Sequence, residues 1–315
     1  MIMKSFVVLT LLAGATAPAL AQTAAAEQTD TVVTAKPVVA AERPYGPTQE
    51  EMELLAFAAR LSQSVLARDN ITIGLGAGYV PSYEGSDQHV LFPAPVIRGT
   101  YKGYSFGVRG TGLFVDLVKD PILPKVEYIA GPLVKVRLER NNRIRDAVVR
   151  SLGKRDIALE AGVSGGIAIN RIFGRFDSLT LQTDAIADVS GVYNGAVITP
   201  SISYSTPINT AGVFTLTGSG DIVDNNYADY YYSVTPAGSA ASGLPQFRAR
   251  GGLKSLGVNA LLGYDLSGDA LDGGWGVFVL GSYSRMQGDA ADSPIVSIRG
   301  DADQLFGGVG VTYTF

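Results

Sequence analysis

The chain has 315 residues, 17% of them charged, a net charge of −4 and 38 glycines. Soluble domains carry about 25% charged residues, so this is a charge-poor chain. It has no basic excess to attract nucleic acid, and with no cysteine it has neither a disulfide framework nor a thiolate metal site.

The first residues, MIMKSFVVLTLLAGATAPALAQ, combine Lys4, a short apolar run and a small-residue Ala19-Leu20-Ala21 ending. That pattern predicts a secretory signal over 1–21, too short in its apolar part to span a bilayer about 30 Å thick. Residues 22–68 then divide into a Pro/Ala/Thr-rich flexible leader and an amphipathic helix. Thr48 with Glu51 forms a capping-box signature, and Leu54, Phe57, Ala58, Leu61 and Val65 follow at helical spacing. The helix, about 49–67, reads as a periplasmic element resting on the body of the protein; a plug or a docking helix is the alternative.

From residue 69 the period changes to two and stays there. Ile71, Ile73, Leu75, Ala77 and Tyr79 share one face against Thr72, Gly74, Gly76 and Gly78. The same alternation recurs in segments near 89–100, 103–110, 112–118, 126–138, 156–170, 177–190, 194–206, 211–222, 251–265, 274–286 and 302–315. The apolar faces are about ten residues long and often end in an aromatic residue, as for transmembrane β-strands. A soluble β-sandwich alternates too, but its strands are shorter, and the small residues of the second face here would not fill a core. Hydrocarbon demands that every backbone N–H and C=O be paired within the protein, so the sheet must close. The expected fold over 69–315 is therefore all-β: a closed antiparallel transmembrane β-barrel in the outer membrane of a Gram-negative bacterium. Twelve strands are expected, with ten as the runner-up; fusing 103–118 into one strand would give an odd eleven. The alternation runs to the last residue, so Tyr313 and Phe315 read as a C-terminal assembly signal for the barrel-assembly machinery.

The alternation turns six charges inward: Arg109, Lys135, Arg137, Glu160, Asp184 and Asp188. They either line a polar channel or brace a salt-bridged lumen, and the narrowness of so small a barrel favours bracing. The only histidine, His89, stands near Ser86 and Asp87, but three residues in four positions of one loop do not make a catalytic triad. Asp289, Asp292, Asp301 and Asp303 lack the regular spacing of a calcium site. The loop near 139–155 is basic, fit for lipopolysaccharide phosphates or simply solvated. The loop near 223–250 is dense in tyrosine, fit for partner contact or for an interface belt.

Four segments taken together, GYVPSYEGSD (78–87), YYYSVTPAGSAASGLPQF (230–247), GDAADSPIV (288–296) and GVGVTYTF (308–315), resemble the MipA/OmpV family of outer-membrane proteins. The resemblance covers about 69–315 and excludes the N-terminal helix. It implies a non-enzymatic scaffold linking a lytic murein transglycosylase to a murein synthase; other members of the family imply a small porin-like channel or an adhesin, and an outer-membrane hydrolase is a distant third reading. It brings no catalytic residues and no cofactor. Outer-membrane lipid and lipopolysaccharide are the expected surroundings. The motif residues Tyr83, Glu84, Gly85, Ser86 and Asp87, with Asp289, Asp292, Ser293 and Pro294, read as loop-shaping.

Overall fold

A computed structural model describes residues 46–119 and 123–315. The expected signal at 1–21 and most of the leader lie outside the described residues. Helix α1 spans Gln49–Gln63, and its capping box forms: Thr48 Oγ1 accepts from the Glu51 N–H at 3.2 Å, and the Thr48 N–H donates to Glu51 at 2.8 Å. A single 3₁₀ turn, Val65–Ala67, leads into the sheet.

Twelve strands follow. They are β1 (Asn70–Pro81), β2 (His89–Tyr101), β3 (Tyr104–Arg109), β4 (Gly112–Asp116), β5 (Val126–Arg137), β6 (Ala158–Asn170), β7 (Ser178–Asp188), β8 (Ala196–Pro207), β9 (Gly212–Val223), β10 (Gly252–Asp265), β11 (Gly274–Met286) and β12 (Asp303–Thr314). Each pairs antiparallel with its neighbours, and the ring closes where β1 meets β12, from Thr72↔Thr314 to Tyr79↔Gly307. The region 103–118 is two short strands around Gly110, which takes a positive φ of 59°. The ring therefore has the even number of strands usual in such barrels.

The alternation sorts side chains between two surroundings. Leu75, Leu91, Val163 and Leu305 point outward with 62%, 73%, 62% and 62% of their surface exposed. Leucine at that exposure is the signature of a wall facing lipid, because a monomer in water rarely shows so continuous an apolar surface. Tyr101, Tyr104, Tyr264, Trp275 and Phe315 are also outward and exposed, with Tyr313 half-buried among them; they ring the end where the barrel's termini lie. Trp275 packs edge-on against Tyr313 (5.1 Å between centroids) and Tyr313 against Phe315 (4.6 Å), forming one interface belt. At the opposite end Tyr79 stacks on His89 at 4.9 Å.

The inner face of the seam is mostly glycine for a steric reason. A Cβ on Gly310 would stand 2.5 Å from the Phe278 ring, and one on Gly76 would stand 2.9 Å from it. The Phe278 ring occupies the space two side chains would take. Elsewhere the inner face is less polar than its alternation implies: Phe114, Ile129, Leu133 and Ile186 are buried inside the wall.

The short turns and α1 share the belt end, which is the periplasmic one; the long loops gather at the other. Helix α1 bridges two periplasmic turns. Phe57 packs edge-on against Phe176 (4.8 Å), Arg175 pairs with Glu53, and Arg60 pairs with Asp269 at 2.5 Å. Among the described residues no helix is long and apolar enough to cross a membrane; the strands do that.

Candidate functional site at the outer mouth

The outer loops carry four short helices: α2 (Ala147–Ser151), α3 (Asn225–Tyr232), α4 (Pro236–Ser242) and α5 (Gly288–Asp292), with a further single turn α6 (Pro294–Ser297). They fold into the mouth instead of standing above it. Asp224 caps α3 by accepting from the Tyr227 N–H at 2.8 Å. Helical spacing then sets Tyr227 beside Tyr231 and Ala228 beside Tyr232, and all four are buried. The tyrosine-dense loop thus contributes a core, since its rings Tyr227, Tyr231 and Tyr232 lie inside the mouth.

Glu84 is the hub. Lys254 Nζ donates to both of its carboxylate oxygens at 2.9 Å, the Tyr232 hydroxyl donates to Oε2 at 2.5 Å, and the Tyr227 hydroxyl at 3.3 Å. Lys254 also pairs with Asp221 at 3.0 Å. Arg137 reaches towards Glu84 at 3.8 Å, donates to the Tyr227 hydroxyl at 2.9 Å and makes a two-point pair with Glu160. The Tyr193 hydroxyl donates to Glu160 at 2.6 Å. One connected set of charges therefore ties β5 and β6 to β9 and β10 across the mouth. Burial alone would raise the Glu84 carboxyl; the Lys254 ammonium and the Arg137 guanidinium outweigh it and hold the group at about 2. Its neighbour Glu139 accepts the Glu84 N–H at 2.8 Å. Burial and the adjacent Glu84 charge push the Glu139 carboxyl up to about 7. Below this layer lies a cavity of about 310 Å³ touched by Glu84, Glu139, Asp221, Lys254, Gln304 and Phe306.

The two loop motifs noticed in the sequence meet here. Gly85 has φ 91°, and a Cβ on it would stand 2.4 Å from Val296, so only glycine lets the first loop seat on α6. The Gly85 N–H donates to Gln304 Oε1 at 3.1 Å, and the Asp301 N–H donates to the Gly85 carbonyl at 2.9 Å. Ser86 shares a hydrogen bond with Ser82 and accepts from the Gln88 N–H. The buried Tyr83 ring donates its hydroxyl to the Arg299 carbonyl at 3.2 Å. Ser293 donates to the Tyr232 carbonyl at 2.6 Å, Pro294 is buried at the start of α6, and Asp289 accepts the Arg250 N–H at 2.8 Å. Asp87 and Asp292 stay exposed. Ser86 is buried, while His89 stacks on the outer Tyr79 and contacts the Leu305 carbonyl, so these side chains form no catalytic triad.

The remaining inward charges divide. Arg109 donates to Asp184 at 3.2 Å and lies over the Phe114 ring, and Ser164 donates to the same carboxylate at 2.5 Å. Lys135 stands opposite Glu160 in the β5–β6 register. Asp188 ties down the 189–195 loop by accepting from the Ser190, Tyr193 and Asn194 N–H groups. Lys254, Asp221 and Glu139 were not singled out by the sequence, and the tyrosines of α3 only as part of a tyrosine-dense loop. Lys254 faces inward because the β9–β10 register shifts between Leu253 and Ser255. The only sign of that bulge is that Leu253 and Leu256, three apart, are both exposed.

A closed ring of twelve antiparallel strands, apolar outside, aromatic at its lower rim and crossed by charge pairs within, is an outer-membrane β-barrel of the Gram-negative type. The model of the family described as MltA-interacting protein MipA matches residues 73–315, and the chain belongs to that family. Curated relatives include the MltA-interacting proteins of Escherichia coli K12 and of Shigella flexneri, each 26% identical over 277 residues, 84% of this chain and 99% of the relative. Among solved structures, an outer-membrane channel of Pseudomonas putida F1 aligns over 79% of this chain and 96% of its own at 10% identity and a TM-score of 0.41. OprD of Pseudomonas aeruginosa aligns over 76% and 64% at 10% identity and a TM-score of 0.34.

Proposed function

We propose that this protein is a structural scaffold of the outer membrane that holds a lytic murein transglycosylase at the periplasmic face and links it to a murein synthase. One observation carries the reading: the mouth is crossed by a largely buried network from Arg137 and Glu160 through Glu84 to Lys254 and Asp221, and packed tyrosines back it. A barrel stoppered this way is built to hold shape. The name of its relatives, MltA-interacting protein, suggests the first partner. On the periplasmic side, Met52 and Leu55 of α1 are exposed and offer apolar contacts to such a partner. A small channel is the second reading, favoured by the cavity below the network. The test pairs two measurements on detergent-purified protein. The scaffold reading expects no steady conductance steps in planar bilayers and retention of a purified murein transglycosylase on the immobilised barrel. Steady open steps without retention would overturn it.

A further inference from the structure

The wall of the barrel has a step. Strand β3 pairs with β2 only over Arg98–Tyr101, so the upper part of β2, 89–97, has no strand on that side among the described residues. Lys102 and Gly103 both have positive φ, 52° and 82°, the mark of a two-residue type I′ hairpin in which the flanking Tyr101 and Tyr104 exchange hydrogen bonds. The odd-numbered residues of β2 therefore turn their backbone groups towards the missing partner. Two of them are Pro93 and Pro95, which have no N–H to leave unpaired. Proline at these positions lowers the cost of an open edge facing hydrocarbon, where an orphan N–H costs several kcal/mol. The same odd-numbered residues, Leu91, Pro93, Pro95 and Ile97, are exposed on the outer face, an apolar strip that runs down the wall from the rim.

At the top of the strip stands the basic loop. A cleft of about 690 Å³ lies between Val90 and Leu91 of β2 and Arg143, Arg145 and Arg150 of the loop. Arg143 lies over the ring of Phe92, the inward-facing neighbour of Leu91, at 4.4 Å, where the loop crosses the open edge of β2. Arg150 donates to the Ile144 and Arg145 carbonyls, at 3.2 and 2.7 Å. All three arginines are exposed residues, and among the described residues none of the three has a carboxylate partner. The loop's buried carboxylate, Asp146, is already paired with Arg299 at 2.5 Å. Three unneutralised cations at the upper end of a lipid-facing apolar strip are complementary to one kind of molecule, an anionic lipid of the outer leaflet.

We propose that this step in the wall is a binding site for a phosphorylated outer-leaflet glycolipid of the lipid A type. Arg143, Arg145 and Arg150 hold its phosphate, and an acyl chain lies along Leu91, Pro93, Pro95 and Ile97. The lipid closes the edge that β3 leaves open. The site is independent of whether the barrel is a scaffold or a channel.

Native mass spectrometry of the detergent-purified protein with bisphosphorylated lipid A tests this. The variant R143A/R145A/R150A is expected to bind it more weakly by about tenfold or more, since each cation near an anionic lipid headgroup adds to the attraction. Arg285→Ala, which removes an outer-rim arginine paired with Asp303 at 2.8 Å, should leave binding unchanged. Heat-dependent gel mobility confirms that each variant is a folded barrel. Dephosphorylated lipid A should bind the unaltered protein as weakly as bisphosphorylated lipid A binds the triple variant. The proposal is overturned if the triple variant binds like the unaltered protein, if Arg285→Ala loses as much, or if the dephosphorylated lipid binds equally. Full displacement of lipid A by millimolar inorganic phosphate would also overturn it, since the acyl strip would then contribute nothing.

Discussion

Replacing Lys254 with methionine removes the cation that sits between Glu84 and Asp221. Lys254 is 5% exposed and lies 2.9 Å from both Glu84 oxygens and 3.0 Å from Asp221. Without it two carboxylates face each other, with Glu139 close by, and Arg137 is left as the counter-charge to Glu84. Removing one partner of a buried ion pair costs about 3–5 kcal/mol. If that cost falls on the closed mouth, opening becomes more frequent by between about a hundredfold and a few thousandfold, at about 1.4 kcal/mol per factor of ten. Hydrogen exchange at the α3 amides, read by mass spectrometry, reports it. Exchange at 225–232 should accelerate by that range while the β8 and β9 amides stay protected. Pairing the change with Glu84→Gln should recover part of the protection, because the neutral amide no longer needs a cation. Exchange in the single variant within about threefold of the unaltered protein would refute the claim that this ion set holds the mouth.

Three further outcomes follow from the geometry. Glu139 is raised in the folded protein from 4.5 to about 7 by burial and by Glu84; a carboxyl raised on folding contributes stability that is full below about 4.5 and lost as pH climbs through about 7. Exchange at α3, corrected for its intrinsic pH dependence, should therefore rise between pH 5 and 8, and Glu139→Gln should flatten that rise. Gly310→Ala places a methyl 2.5 Å from Phe278 and should cost about 1–3 kcal/mol by overpacking, read as a lower temperature for loss of the folded gel band; adding Phe278→Ala should relieve the clash. Phe57→Ala removes a buried ring that meets Phe176 at 4.8 Å and should weaken the docking of α1 by about 2–4 kcal/mol, seen as protease cleavage within 49–63 while the barrel stays intact.

The wall was legible in the sequence because a lipid-facing strand has only one way to alternate. Expected strand limits such as 274–286 and 126–138 lie within a residue or two of Gly274–Met286 and Val126–Arg137. The seam was legible too, since the alternation through Val309, Val311 and Tyr313 has a partner waiting in Ala77, Leu75 and Ile73. The mouth was not legible, because loops inside a barrel face neither lipid nor water and follow neither period. The tyrosines at 227, 231 and 232 do carry helical spacing after an Asp224 cap, a signal that composition alone hides behind the word loop. Glu84 sits in a motif that reads as turn-shaping, and only Gly85 and Ser86 act mainly in that way. Lys254 escaped because a bulge reverses the parity on which every inward assignment depends. Phe114, Ile129, Leu133 and Ile186 escaped because apolar residues on both faces of a strand erase the alternation itself.

The closed ring is most directly tested at its seam. Thr72 and Thr314 share a hydrogen bond of 2.8 Å between their hydroxyls, although 242 residues separate them. The Phe315 N–H donates to the Ile71 carbonyl, so Thr72 and Thr314 form a non-hydrogen-bonded pair, with Cα atoms about 4.5 Å apart, within the reach of a disulfide. The chain has no other cysteine to interfere. Thr72→Cys with Thr314→Cys, oxidised in intact outer membranes, should give one intramolecular crosslink that shifts the denatured chain's mobility on a non-reducing gel. Failure to crosslink, while Thr72→Cys with Arg98→Cys across β1 and β2 does so readily, would mean that the first and last strands do not meet.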